Sequence, residues 1–485
     1  MAEHVFDVLA KDILGGRLRP DEPLPTQREL AKQFHVSTLV VHQAIHRLED
    51  LGLVRVRQGS ATTVLDPRRS SDMRLIQLQM ELATFDNDFA LAVMEHELLF
   101  LCPLIVLAER RITREDLAVL NYIVDRLPEE PTFEEKARFR VEYWTRVAEA
   151  TGNPLFGQQL RWWGGLITKV RPRRPINLPA RQVLPPAFYR ELTASFARGE
   201  GTLALYLETI GPVLERFDGA AQSVTPVVGL PRTDGIGAAP TRQRVADRVF
   251  DALAKSILEG GLEPDAALPT QRELAQQFHV STLVIRQAIH RLEDLGLVRA
   301  RQGSPTIVLD WSKSSDVRLI QLRLQLGTFD EGLARAVVEH QLLLLCPLIV
   351  LAQRRITREQ VAVLTHIVDA LPRHPTLEDR LRLRVEYWTH VAEATRNPLF
   401  VQQLQWWGGL ITHLRPRRSD RVFARQVLPR RFYRNVTASL AGSGGALALY
   451  LEAIEPVLER FDKALHHPAT VHNGAGQVAD DEAPK

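Results

Sequence analysis

Cysteine is nearly absent from this 485-residue chain, which holds only Cys102 and Cys346. Two thiols neither build a disulfide framework nor complete a four-thiolate zinc site, and so few in so long a chain point to a reducing, cytoplasmic setting. A charge excess of one sign is also missing: 61 basic against 58 acidic residues leave a formal +3, which neither advertises nor excludes nucleic acid. The longest apolar runs, 98–108 and 342–352, are about eleven residues each where a bilayer takes about twenty. No membrane partner is expected from them. The N-terminus enters an amphipathic pattern at Val5, Phe6, Leu9 and Ile13, without the basic and apolar regions of a secretory signal. There is no glycine-rich phosphate loop, nucleophile elbow or His-Glu-x-x-His segment. The chain is therefore expected not to be an enzyme and to use no cofactor.

What is present is ordinary globular composition, 45% hydrophobic and 25% charged, in a length that suggests several domains. The text is one unit written twice. Val5-Phe6-Asp7 returns as Val249-Phe250-Asp251, Cys102-Pro103 as Cys346-Pro347, Trp162-Trp163 as Trp406-Trp407 and Glu215-Arg216-Phe217 as Glu459-Arg460-Phe461, always 244 residues on. A constant offset means no insertion or deletion, so both copies should share one fold, and the unit is too long for a solenoid repeat. Between them, 219–243 is rich in Gly, Pro and Ala without apolar periodicity, which is linker composition. The expected domains are 1–67 and 244–311, each a short helix-helix-helix-strand pattern; 70–218 and 314–463, helical almost throughout with six or seven helices; and a disordered tail, 464–485.

Each small domain carries a pattern with a function. Thr26 caps a helix through Leu30-Ala31, the chain turns at Phe34-His35-Val36, and Ser37 caps a second helix. That helix places Val41, Ala44, Ile45, Leu48 and Leu51 on one inward stripe, with Thr38, Leu39, His42, His46 and Arg47 outward. Two helices joined by a tight turn, the second apolar behind and polar in front, match a helix-turn-helix whose second helix enters the major groove. Two β-prone runs around Gln58-Gly59-Ser60-Ala61 form a hairpin with Arg55 and Arg57 near its tip.

These residues resemble the GntR family of winged-helix transcription regulators. The resemblance rests on Leu24-Pro25, Arg28, Leu30-Ala31, Val36-Ser37, Leu48-Glu49, Gly52-Leu53-Val54 and Gly59, and again on Leu268-Pro269, Arg272, Leu274-Ala275, Val280-Ser281, Leu292-Glu293, Gly296-Leu297-Val298 and Gly303. It implies a mainly α protein: two winged helix-turn-helix DNA-binding domains with a small β-wing, each followed by an all-α effector and dimerisation bundle. The implied DNA contacts are Arg28, Ser37, Thr38, Leu39, His42, His46, Arg47, Arg57, Gln58 and Gly59 in copy 1. In copy 2 they are Arg272, Ser281, Thr282, Leu283, Arg286, His290, Arg291, Arg301, Gln302 and Gly303. The helical part is similar to the FadR-like branch through Ala150 to Gly157 and its echo at Ala394 to Val401.

Departures from the family pattern count too. Thr38 and Thr282 stand where the family commonly has Arg, and a second Arg position is His42 in copy 1 but Arg286 in copy 2. Many relatives bind a metal through Asp-x-x-x-His in the helical domain; those positions are Arg140 and Trp144 here, Arg384 and Trp388 in copy 2, so no metal is expected. Arg140 lies in line with Phe133, Ala137, Trp144 and Val147, and Arg384 with Leu377, Leu381, Trp388 and Val391. An inward guanidinium must be paired. Its partner is either an effector carboxylate or phosphate, or a structural acid such as Glu95 or Glu97, Glu339 in copy 2. Trp162-Trp163 and Trp406-Trp407 read as core or dimer contact, and the cysteines as inert core thiols.

Two functions remain. One is a transcription regulator in which the duplicated chain is a covalent pseudo-dimer on a double-stranded DNA operator with two half-sites, tuned by a small acidic or acyl-type effector. The alternative is a DNA-binding module fused to an enzymatic domain, as in relatives with a pyridoxal-phosphate fold.

Overall fold

The computed structural model describes residues 1–56, 61–67, 74–82, 87–128, 131–169, 184–221, 245–300, 304–314, 316, 318–413, 428–442 and 444–466. The first repeat opens with α1 (Ala2–Leu14), α2 (Gln27–Gln33), α3 (Thr38–Asp50) and an antiparallel pair, β1 (Val54–Arg55) and β2 (Thr63–Val64). Val5, Phe6, Leu9, Ala10 and Ile13 form the buried stripe of α1, and Val41, Ala44, Ile45 and Leu48 that of α3. A reciprocal cap starts α2: the Thr26 hydroxyl accepts from the Glu29 amide at 3.3 Å, and the Glu29 carboxylate accepts from the Thr26 amide at 2.8 Å. Ser37 caps α3 by accepting from the Val40 amide at 3.4 Å. The turn between α2 and α3 puts His35 in the left-handed region, φ 53°. The second repeat repeats this head with α12 (Val245–Leu258), α13 (Gln271–Gln277), α14 (Thr282–Asp294), β3 (Val298–Arg299) and β4 (Ile307–Val308).

Each head is followed by eight helices among the described residues. In repeat 1 they are α4 (Arg74–Glu81), α5 (Asn87–Leu99), α6 (Leu101–Arg111), α7 (Arg114–Asp125), α8 (Phe133–Ala150), α9 (Pro154–Lys169), α10 (Pro186–Arg198) and α11 (Thr202–Ala221). In repeat 2 they are α15 (Arg318–Leu326), α16 (Glu331–Leu343), α17 (Leu345–Arg355), α18 (Arg358–Asp369), α19 (Leu377–Ala394), α20 (Pro398–His413), α21 (Arg430–Ala441) and α22 (Ala446–His466). The sequence predicts six or seven. The extra one arises because one apolar helix breaks at Phe100, where Pro103 has no N–H to donate to the turn before it. The 219–243 linker and 464–485 tail lie almost wholly outside the described residues, apart from the ends of α11 and α22.

The apolar runs reach further than the eleven residues counted in the sequence. Phe89–Arg111 and Glu331–Arg355 have the length and composition of a bilayer span, and they are 78% and 89% buried within the fold. A helix apolar all round suits a central position with neighbours on every side. Here α6 and α17 touch each other at the middle of one core shared by both helical bundles. Helix α9 of repeat 1 packs on α16 of repeat 2, and α20 packs on α5. Trp162 and Trp406 pack against a smaller cluster that also draws on both repeats, with Ile76 and Met80 from one and Leu399 from the other. The side chains of Trp163 and Trp407 are outside the described set.

Buried charge crosses this junction twice, in mirrored fashion. Arg111 donates to Glu339 Oε1 at 2.5 Å, to the Thr151 carbonyl at 2.7 Å and to Asp462 at 2.7 Å. Arg355 makes the same set with Glu95, with the Thr395 carbonyl at 2.6 Å and with Asp218 at 2.8 Å. Asn153 caps α9, accepting from the Leu155 amide at 3.1 Å, and its amide donates across to Glu339 at 2.9 Å and to the Ala336 carbonyl at 3.0 Å. Asn397 does likewise toward Glu95 and the Ala92 carbonyl. His96 donates to Gln403 at 2.8 Å and His340 to Gln159 at 2.6 Å, both fully buried.

Candidate functional site

The heads present α3 and α14 with their polar fronts in solvent. Arg28, Ser37, Thr38, Leu39 and His42 are exposed, as are Arg272, Ser281, Thr282, Leu283, Arg286 and His290. Leu39 and Leu283 stand 63% and 61% exposed. A large apolar side chain kept in water at the N-terminal end of such a helix is chemically suited to a thymine methyl group. Gln43 and Gln287 share the exposed front and were not singled out from the sequence. Their signal was available, since each directly follows an outward residue and offers an amide that suits an adenine edge.

The two fronts differ in what holds them. In repeat 1, His42 Nε2 lies 3.1 Å from His46 Nε2 and Nδ1 lies 3.5 Å from Gln27 Nε2, while His46 Nδ1 is 3.2 Å from Glu49. In repeat 2, Arg286 takes the place of His42, and His290 turns to Asp294 at 3.1 Å. Arg47 and Arg291, read as outward, face the first helix of their own heads. The Arg47 guanidinium sits 4.2 Å over the Phe6 ring and 3.6 Å from Glu3, and that of Arg291 4.1 Å over Phe250 and 2.5 Å from Asp247. Periodicity placed Arg47 on the outward face; cation–π attraction draws both arginines to the side. Arg57, Gln58, Gly59, Arg301, Gln302 and Gly303 lie outside the described residues. The described base of each wing is anchored, with the Val56 amide donating to Glu49 at 3.1 Å and the Ala300 amide to Glu293 at 2.9 Å.

In the helical bundles the two inward arginines part company. Arg140 on α8 forms an ion pair with Glu97 on α5. It lies near Tyr189 and Tyr206, and about a quarter of its side chain still meets solvent. Glu95, the other expected partner, is occupied by Arg355 and Asn397. In repeat 2 the expected partner of Arg384 was Glu339, and that is corrected here: Glu339 is bound by Arg111 and Asn153. Position 341, equivalent to Glu97, is Gln. Trp388 is buried, and Tyr433 and Tyr450 both feel the charge of Arg384. Burial pushes Tyr433 up to about 12, partly opposed by Arg384, and holds Tyr450 well above the usual phenol range. Both phenols stay neutral near pH 7. Leu381, expected on the same inward line, is exposed.

Cys102 and Cys346 are fully buried, and burial raises both thiols, Cys346 to about 12. Among the described residues no group of three His, Cys, Asp or Glu side chains is arranged to hold a metal.

Comparison with known proteins bears on the heads. Residues 1–64 and 245–308 both match the gntR family of bacterial regulatory proteins. The chain is 32% identical over 158 residues to the HTH-type transcriptional regulator Mce2R of Mycobacterium tuberculosis, a stretch covering 32% of this chain and 65% of that protein. It thus spans just under two thirds of that relative. It is 26% identical over 190 residues to the fatty acid metabolism regulator protein of Edwardsiella ictaluri, covering 38% of this chain and 77% of the relative. Among solved structures, a GntR family member from Pseudomonas syringae aligns at 18% identity over 49% of this chain and 91% of the other, with a TM-score of 0.24. The capped helix pair, the outward polar helix and the short antiparallel wing, present twice and matched twice, establish that this chain carries one winged helix-turn-helix domain of the GntR family in each of its two repeats.

Proposed function

We propose that this chain is a DNA-binding transcription regulator in which the two repeats act as a covalent pseudo-dimer on an operator of two half-sites. The observation that carries this reading is the pair of family-matched heads on helical bundles that share one core. Two recognition helices on repeats that share one core favour two major-groove segments at a set spacing. Thr38, Leu39, His42 and Gln43 in one head, and Thr282, Leu283, Arg286 and Gln287 in the other, are the proposed base readers. Arg28 and Arg272, exposed on the preceding helices, are proposed to hold phosphate. We assign Arg47 and Arg291 a structural role within the heads, and leave the wing residues Arg57, Gln58, Gly59, Arg301, Gln302 and Gly303 as minor-groove or phosphate contacts. The bundles are proposed to bind a small acidic effector near Arg140 and Trp144 or Arg384 and Trp388.

Selection of bound fragments from random DNA by the full chain tests this reading. A two-part site bound in proportion to chain concentration is expected, with Arg28→Ala and Arg272→Ala each weakening all sequences alike and lowering the salt slope by about 0.9. Enrichment of no motif, or binding that rises with the square of chain concentration, would count against it.

A further inference from the structure

The two bundles build the same cradle around their inward arginines. Trp144 and Trp388, Tyr189 and Tyr433, and Tyr206 and Tyr450 are paired at the constant offset, and all six are buried. The tyrosines at its floor are pinned alike, Tyr206 donating to the Leu98 carbonyl at 2.8 Å and Tyr450 to the Leu342 carbonyl at 2.7 Å. One charged position differs. Repeat 1 supplies Glu97, which closes on Arg140; repeat 2 has Gln341.

A guanidinium among aromatic side chains is costly unless an anion meets it. Among the described residues Arg384 makes no ion pair, and Glu339, the acid the sequence offered it, has both oxygens engaged by Arg111 and Asn153. Neutral phenols cannot neutralise it. The protein thus contains its own worked example in repeat 1, a carboxylate seated on the arginine of this cradle, and lacks that carboxylate in repeat 2.

We propose that repeat 2 binds an organic monocarboxylate on Arg384, with its apolar body against Trp388, Tyr433 and Tyr450, and that Glu97 keeps the equivalent place in repeat 1 filled. One chain then takes one ligand. A carboxylate is the chemistry named because a guanidinium fork matches it with two parallel hydrogen bonds. A single cation and aromatic walls favour one carboxylate over a dicarboxylate or a sugar acid. The inference rests on the effector reading above and narrows it to one repeat, one ligand class and one ligand per chain.

The full chain is titrated calorimetrically with sodium hexanoate and with sodium acetate, the smallest carboxylate, against hexanamide and sodium chloride as controls. One carboxylate per chain is expected, with no binding of hexanamide. Arg384→Gln should weaken it about tenfold or more, the loss of a charge-assisted pair. Gln341→Glu should abolish binding and raise Tm without ligand, since it restores the internal pair. Glu97→Gln should yield two sites per chain. The inference is overturned if neither carboxylate binds the wild-type chain, if two bind it, or if Gln341→Glu binds as tightly as wild type. Fragment selection on the same preparations separates the two readings. DNA binding without carboxylate binding removes this inference alone, and carboxylate binding without DNA binding removes the regulator reading and leaves the site.

Discussion

His96 and His340 are the least conspicuous ionisable residues in the sequence and among the most constrained in the molecule. Each is fully buried and donates one hydrogen bond across the repeats. Burial lowers His96 to about 4 and His340 to about 3. Their folded values lie below the unfolded 6.5, so the stability that comes from keeping them neutral is complete above pH 6.5 and is lost as pH falls toward 4. Each should remove about 1.4 kcal/mol per pH unit in that window. Urea unfolding from pH 7.5 to 4.5 should show the decline, and His96→Asn with His340→Asn should flatten it; an unchanged slope would show that other groups set it. On the DNA side, His42 is engaged with His46 and Gln27, whereas Arg286 stands exposed. Arg can bond O6 and N7 of one guanine together, worth about 1 to 3 kcal/mol of discrimination. Arg286→His should therefore cost more affinity than any loss from His42→Arg, and His42→Arg should make the selected site more symmetric. Equal effects on a perfectly symmetric site would refute that asymmetry.

At the level of elements, the clearest contrast between copies is the corner between the long helices α8 and α9 and its twin between α19 and α20. The chain turns there through a left-handed residue, Gly152 with φ 62° in one repeat and Arg396 with φ 55° in the other. Glycine occupies this region freely, while a side chain costs about 1 kcal/mol. Nothing lies within 4 Å of a Cβ built on Gly152, so crowding does not enter and only backbone strain separates the residues. Arg396→Gly should stabilise the chain by about 0.5 to 1 kcal/mol and Gly152→Arg should destabilise it by a similar amount. Paired urea denaturation curves decide this, and a loss of stability on Arg396→Gly would mean that the arginine side chain contributes more than its strain costs. The corner matters because Asn153 and Asn397 follow directly and cap the helices that cross to the other repeat.

At the scale of the whole molecule, the two repeats meet through one shared core. Its junction pairs like with like: Glu95 with Arg355 and Arg111 with Glu339, which are the same two positions read in each direction. An interface with that symmetry is self-complementary. Residues 1–221 expressed alone should therefore pair with themselves, Glu95 of each copy meeting Arg111 of the other, and sediment as a dimer at micromolar concentration. Arg111→Ala in that fragment should dissociate or unfold it, because a buried carboxylate left without its partner costs about 3 to 5 kcal/mol. A well-folded monomer of 1–221 would mean that the shared core is not required for the bundle to stand.

Local features were legible in the sequence because their causes are local. The duplication, the Thr and Ser caps, the apolar stripes of α1 and α3, and the polar front of the recognition helices follow from residue spacing and from which side chains can reach a neighbouring amide. For Arg140 the sequence showed only that an inward guanidinium needs an anion, and left that anion open between an effector and an acid such as Glu95 or Glu97. The choice between Glu95 and Glu97 was not legible, since the two are two residues apart on one helix and differ only in which repeat they face. Tertiary structure alone decided that Glu95 and Glu339 belong to the junction, that Arg47 and Arg291 fold back over Phe6 and Phe250, and that Arg384, unlike its twin, has no counter-ion among the described residues. These depend on contacts between different helices, more than 200 residues apart in the chain at the junction, and spacing along one helix carries no information about what lies across from it.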